Sequence, residues 1–210
     1  TFYLIRQNFS LAVPYMIAEY GYTKADLGIV MTLLSVAYGV SKFVMGNASD
    51  RSNPKYFSTV GLLLSALVML LFGTLPGVMS SIPIMCVLAF LNGWFQGMGW
   101  PPCGRTMVHW WSKSERGTIV SIWNTAHNIG GMMPGAMVLL ASAVFFSTHG
   151  VEAQAKDIWQ QSLYYPGIAA MLCAIPVYFV MRDTPQSCGL PSIEKWRNDY
   201  PDDYNEKTYE

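Results

Sequence analysis

YFSTVGLLLSALVMLLFGTLPGVMSSIPIMCVLAFLNGWFQGMGWPPCG, residues 56–104, runs for 49 residues without one charged side chain. As a single α-helix it would be roughly 70 Å long. A bilayer core is about 30 Å thick and is crossed by about 20 apolar residues. The stretch therefore crosses twice, and Pro76-Gly77 followed by Ser80, Ser81 and Pro83 marks the turn. Its far end, Trp94 to Arg105, is too dense in glycine, proline and aromatics for an ordinary lipid-facing helix.

Outward from this stretch, apolar runs between charges give six spans: 1–20, 27–47, 57–76, 82–104, 117–141 and 162–181. The runs are continuous rather than alternating, which argues for helices and against a β-barrel. Lys24 and Asp26 fall in the first connection, Asp50 to Lys55 form the second, and Arg105 to Arg116 form the fourth. Residues 142–161 read as a polar fifth connection. His109-Trp110-Trp111 sits at the membrane edge, as an aromatic belt does. The expectation is an all-α transmembrane unit over 1–181, its first helix truncated, followed by a linker or tail over 182–210. Thr1-Phe2-Tyr3 carries no basic leader, so the first helix opens in mid-span and both ends read as cut.

Only 12% of residues are charged, against about 25% in soluble domains. The net charge is zero, which gives no footprint for nucleic acid. The four cysteines form neither a disulfide framework nor a CxxC metal site, and no metal or cofactor is expected. Nine basic residues (Arg51, Lys55, Arg105, Lys113, Arg116, Arg182, Lys195, Arg197, Lys207) lie in the second and fourth connections and the tail. Lys24 and Lys156 alone lie on the other side. The positive-inside rule then places the tail in the cytoplasm, and an even number of spans agrees.

Arg6 and Lys42 remain inside spans, with His127. None of the thirteen acidic residues lies in a span core, since Glu19 and Asp26 sit at span ends. Intramembrane charge is expensive unless compensated. Without a carboxylate to pair with, the compensation expected is a bound anion. Two fixed cations and a titratable histidine suit a phosphate group, the arginine supplying a bidentate fork. Blander readings stand beside this one. Arg6 and Lys42 can snorkel to a helix end, and His127 can be a neutral hydrogen-bonded residue. Tyr3, Tyr38, Trp94, Trp100 and Trp123 can simply pack between helices. Gly93-xxx-Gly97 and Gly131-xxx-Gly135 read first as close helix contacts.

Several motifs bear a resemblance. Gly46-Asn-Ala-Ser-Asp50-Arg51-Ser-Asn-Pro-Lys55 is similar to the loop between helices 2 and 3 of major facilitator superfamily transporters. Ser41-Lys42-Phe43, Trp94 to Arg105, Trp123-Asn-Thr-Ala-His127-Asn-Ile-Gly-Gly131 and Arg182 to Pro191 resemble the organophosphate:phosphate antiporters of that superfamily. The tail Asn198 to Glu206 favours a glycerol-3-phosphate carrier over a hexose-phosphate one. The resemblance covers the N-terminal six helices of a twelve-helix fold.

What it implies is exchange of glycerol-3-phosphate for inorganic phosphate by alternating access in a bacterial inner membrane, together with a C-terminal half. Arg6, Lys42 and His127 match the family's substrate-binding positions, and Tyr3, Tyr38, Trp100, Trp123 and Asn124 match positions near the cavity. Asp50 and Arg51 match a conformational charge cluster. Gln7 departs from the lysine that close relatives carry, which makes the cavity less positive. Alternatives are a hexose-phosphate antiporter and a non-transporting sugar-phosphate sensor. An enzyme is disfavoured, because no HExxH, GxSxG or P-loop occurs and no carboxylate pair lies at membrane depth.

Overall fold

The computed structural model describes residues 2–6, 8–149 and 155–200. Gln7 and the end of the tail, 201–210, lie outside the described residues. A 3-10 turn, Phe2–Ile5, leads into α1 (Asn8–Tyr20). There follow α2 (Lys24–Asp50), α3 (Pro54–Thr74), α4 (Ile82–Gln96), α5 (Trp100–Trp110), α6 (Arg116–His149), α7 (Ala155–Val180) and a short α8 (Ile193–Arg197). Among the described residues there is no strand.

Local chemistry sets the boundaries. Thr23 caps α2 by accepting from the Asp26 amide, while the Asp26 carboxylate accepts from the Thr23 amide, a reciprocal box. Asn53 caps α3 ahead of Pro54, whose missing N–H is harmless in a first turn. The turn expected between the two crossings falls at 75–81, with Gly77 at φ 82°, a conformation glycine adopts freely.

Two expected spans prove to be broken. The first is interrupted at Arg6, between the 3-10 turn and α1. The fourth splits into α4 and α5, because Pro101 and Pro102 cannot donate to the carbonyls one turn back. α5 nevertheless continues to Trp110, so Arg105 and His109 stand on a helix and the fourth connection shrinks to 111–115. The polar fifth connection is also shorter than expected, since α6 runs to His149 and α7 begins at Ala155. By length and composition α2, α3, the α4–α5 unit and residues 160–180 of α7 each suffice to cross a membrane.

α2 packs on α4, and α3 packs on both α4 and α7, with α1 and α6 against α7. Leu62, Ala66 and Met69 of α3 meet Met85 and Ala89 of α4, Leu163 and Ala170 of α7, and Ile5 and Met16 of the first rod in one apolar core. The α2–α4 seam is the tightest contact. A Cβ added to Gly93 would lie 2.3 Å from the Leu34 carbonyl oxygen, and one on Gly97 would lie 2.1 Å from Ser41 Oγ. Ser41 Oγ donates to the Trp94 carbonyl at 2.5 Å across this seam. Gly135, by contrast, faces open space, so the second expected glycine pair does not form such a seam there.

At one end the α2–α3 loop, the α5–α6 loop and the segment after α7 come together. Arg105 donates to the carbonyls of Ser49, Asp50 and Ser52 at 3.3, 2.8 and 3.0 Å, satisfying the open end of α2. It also reaches both carboxylate oxygens of Asp183 at 3.1 Å. Residues 182–199 are then strapped down. Trp110 Nε1 donates to the Arg182 carbonyl, Arg197 pairs with Glu115 at 2.6 Å, and Ser114 donates through N and Oγ to the Asp199 carboxylate. The expected linker is thus a docked segment over most of its described length.

Those two Ser114 hydrogen bonds hold the Asp199 carboxyl below the usual carboxylate range. A carboxyl with a lowered pKa stabilises the docked form fully above its undocked value and loses that contribution as pH falls through the docked one. A fluorophore on the exposed Cys188 should therefore report loosening of the strap as pH drops below about 4. In Asp199→Asn that share of the pH response should vanish, and an identical titration in the variant would refute the link.

Candidate functional site

The break at Arg6 has a visible cause. Gln96 Nε2 and Asn92 Nδ2 donate to the Ile5 carbonyl at 3.0 and 3.3 Å, taking an acceptor that a continuous helix would offer to the Phe9 amide. Asn92 Oδ1 in turn accepts from Ser65 Oγ at 2.5 Å and from Gln96 Nε2 at 3.3 Å. Asn92 and Gln96 are 1% and 3% exposed, so these bonds are made away from water. Losing such partners leaves buried polar groups unsatisfied, at about 1–3 kcal/mol each. Asn92→Leu with Gln96→Leu should lower the melting temperature in detergent and weaken anion binding together. Wild-type melting would mean that the network does not hold the break.

The interruption sets Arg6 in a turn, half-buried. Its guanidinium carbon lies 3.9 Å from the ring centroid of Tyr38 and 5.9 Å from that of Tyr3. From α2, one turn beyond Tyr38, the Lys42 ammonium lies 4.3 Å from the same Tyr38 ring and 5.2 Å from Trp100. The two cations are thus no more than about 8 Å apart, and neither has a carboxylate partner among the described residues. At that distance, with an effective dielectric of about 20, they repel by about 2 kcal/mol. The four cation–π contacts offset part of this, and a bound anion reverses it.

Aromatics tie the remaining residues to this centre. Trp100 Nε1 donates to the Tyr3 hydroxyl at 2.9 Å, Tyr3 meets the His127 ring edge-on at 4.1 Å, and Trp100 meets Trp123 at 4.2 Å. Glycines permit these approaches. A Cβ on Gly99 would strike the Phe2 ring at 2.8 Å, and one on Gly130 would sit 3.0 Å from Tyr3 Cβ. Seven of the expected residues, Arg6, Lys42, His127, Tyr3, Tyr38, Trp100 and Trp123, therefore form one connected cluster. Asn124 is exposed on α6 beside it and makes no hydrogen bond among the described residues.

Asp50 and Arg51 lie apart, eight and nine residues beyond Lys42, or about 12 Å along the helix. Among the described residues their side chains form no ion pair; the Asp50 carbonyl is instead gripped by Arg105. Asn92, Gln96 and Ser65 were not singled out from the sequence. A signal was present, since Asn92 and Gln96 are the two amides in the 49-residue uncharged run and stand one helical turn apart.

Apolar helices long enough to span, carrying a half-buried Arg6 and an exposed Lys42 that have no carboxylate partner among the described residues, define a multi-pass membrane protein with a polar centre. The chain matches the Major Facilitator Superfamily over residues 1–200 and belongs to it. It is 75% identical to the glycerol-3-phosphate transporter of Haemophilus influenzae, covering 100% of this chain and 44% of that protein. It is 43% identical to a probable hexose phosphate transport protein of Chlamydia trachomatis, over 94% of this chain and 40% of the relative. The chain thus spans less than half the length of the curated relatives it matches. In fold it is similar to a bacterial homologue of the human lysosomal transporter Spinster, with a TM-score of 0.69 at 12% identity, covering 88% of this chain and 41% of that one. Together these identify the architecture as the six-helix N-terminal half of the major facilitator fold.

Proposed function

We propose that the chain is half of a secondary transporter exchanging glycerol-3-phosphate for inorganic phosphate by alternating access in a bacterial inner membrane. The observation that carries the reading is the convergence of Arg6 and Lys42 on the Tyr38 ring, neither having a carboxylate partner among the described residues. A phosphate dianion neutralises both, and the guanidinium fork gives it two parallel hydrogen bonds. His127, Tyr3, Trp100, Trp123 and Asn124 line the glycerol side of the same centre in this reading. No enzyme chemistry is assigned to it.

A second half would close the site. The outward face of α2 is bare, with Ile29, Val36 and Val40 open and Phe43 87% exposed. On α6, Ile122, Ile129 and Met132 are equally open. In this reading an opposing six-helix unit would cover open apolar surface of this kind. The basic loops and the strapped tail lie on the cytoplasmic side by the positive-inside rule. Arg51 and Asp50 then stabilise one face of the cycle. Asp50→Asn should slow exchange and leave phosphate binding unchanged; unchanged turnover at saturating substrate removes that role.

The test is [32P]phosphate exchange by the full-length carrier in proteoliposomes, with glycerol-3-phosphate and glucose-6-phosphate as competitors. Block by glycerol-3-phosphate supports the proposal. Stronger block by glucose-6-phosphate moves it to a hexose-phosphate carrier, the second reading, which the Chlamydia relative favours. Binding without any exchange makes the protein a sensor.

A further inference from the structure

An open groove of about 390 Å3 runs between α3 and α7 and shares no residue with the cation site. Tyr56, Val60 and Leu63 form one wall, and Met171, Ile175 and Tyr178 the other. On α3 these positions follow the i, i+4, i+7 spacing of one stripe, while Leu62, Ala66 and Met69 of the opposite stripe are in the core. The outer stripe is open, Tyr56 and Ile175 each being 55% exposed. In a spanning bundle such a face meets acyl chains.

At the end of the groove next to the α2–α3 loop the chemistry changes. The Lys55 ammonium lies 4.1 Å from the Tyr178 ring centroid and 5.4 Å from that of Tyr56, and the two rings meet edge-on at 5.9 Å. Neither phenol hydroxyl has a hydrogen-bond partner, and Lys55 has no carboxylate partner, among the described residues. We propose that this groove seats an anionic phospholipid, with an acyl chain along the Val60–Ile175 walls and the phosphate held by Lys55 and the hydroxyls of Tyr56 and Tyr178. One fixed positive charge without a neighbouring acid matches a headgroup of net charge −1. It offers nothing to the amine of a zwitterionic one. Free phosphate would gain from the lysine but leave the apolar walls unused.

The test is native mass spectrometry of the delipidated intact carrier, offered phosphatidylglycerol and phosphatidylcholine of the same chain length. Wild type should retain phosphatidylglycerol about fivefold better. Lys55→Gln should retain both alike, and Val60→Trp, which fills the groove from an exposed position, should retain neither. Melting in detergent checks that each variant is folded, and Tyr178→Phe, with a reduced preference, serves if Lys55→Gln is not. Equal retention by wild type, an unchanged preference in Lys55→Gln, or displacement of the lipid by inorganic phosphate would each overturn the seat. A lysine that only complements the C-terminal dipole of α7 gives the first of these results.

Discussion

Arg6→Lys should abolish measurable phosphate exchange while the protein still folds and inserts. The substitution keeps the charge and removes the planar fork, so it separates recognition from simple charge balance. In the turn after Ile5 the guanidinium stacks 3.9 Å from the Tyr38 ring centroid, a position that fixes its plane. Losing one partner of a buried, hydrogen-bonded charge pair weakens binding by about 2–5 kcal/mol. Lysine retains part of the attraction, so the lower half of that range applies, a loss of roughly a hundredfold in phosphate affinity. Calorimetry of phosphate binding alongside exchange distinguishes the outcomes. Unchanged affinity in the variant would make Arg6 a snorkelling residue and would remove the central claim about the site.

Gly93→Val should be the most destabilising single change in the bundle. The obstacle is the backbone carbonyl of Leu34, which has no rotamer to escape into, and the Tyr38 amide stands 3.1 Å away on the same side. α2 and α4 must separate, and overpacking of this kind costs about 3 kcal/mol. Because α2 carries both Tyr38 and Lys42, the separation also moves one cation away from the other. Gly93→Ala should show the same loss in smaller degree, whereas Gly135→Val, which meets open space, should melt like wild type. Equal melting temperatures for the Gly93 and Gly135 variants would show that the seam is looser than its distances imply.

The helical crossings and the clustering of the charged and aromatic side chains were legible in the sequence for a simple reason. Bilayer thickness turns uncharged run length into a count of crossings, and an unpaired arginine among apolar residues has few explanations. The breaks were less legible. Nothing in residues 2–8 interrupts a helix by itself, since the cause sits nearly ninety residues away in Asn92 and Gln96. Such an acceptor theft is tertiary, and local propensity does not record it. Arg105 is a similar case. Its position suggested a loop charge, whereas α5 carries it to the open carbonyls of α2. The polar composition after residue 181 reads as a linker because the partners of Asp183, Glu194, Arg197 and Asp199 lie on α5, at the start of α6 and in the loop between them, an arrangement that sequence order hides. His127 and Asn124 show the limit on the other side. Both were picked out by motif and both are exposed on α6, yet His127 meets the Tyr3 ring whereas Asn124 makes no hydrogen bond among the described residues.

The strap after α7 changes the mechanics of the chain. Free, residues 182–199 would provide a tether of roughly 60 Å of reach. Docked, that slack is taken up, and whatever follows residue 200 departs from the α5–α6 loop rather than from the end of α7. A pull on the following chain is therefore felt first at Ser114 and Glu115. Releasing the strap would lengthen the leash and dilute a second half near its docking face, since effective concentration falls as a flexible connection grows.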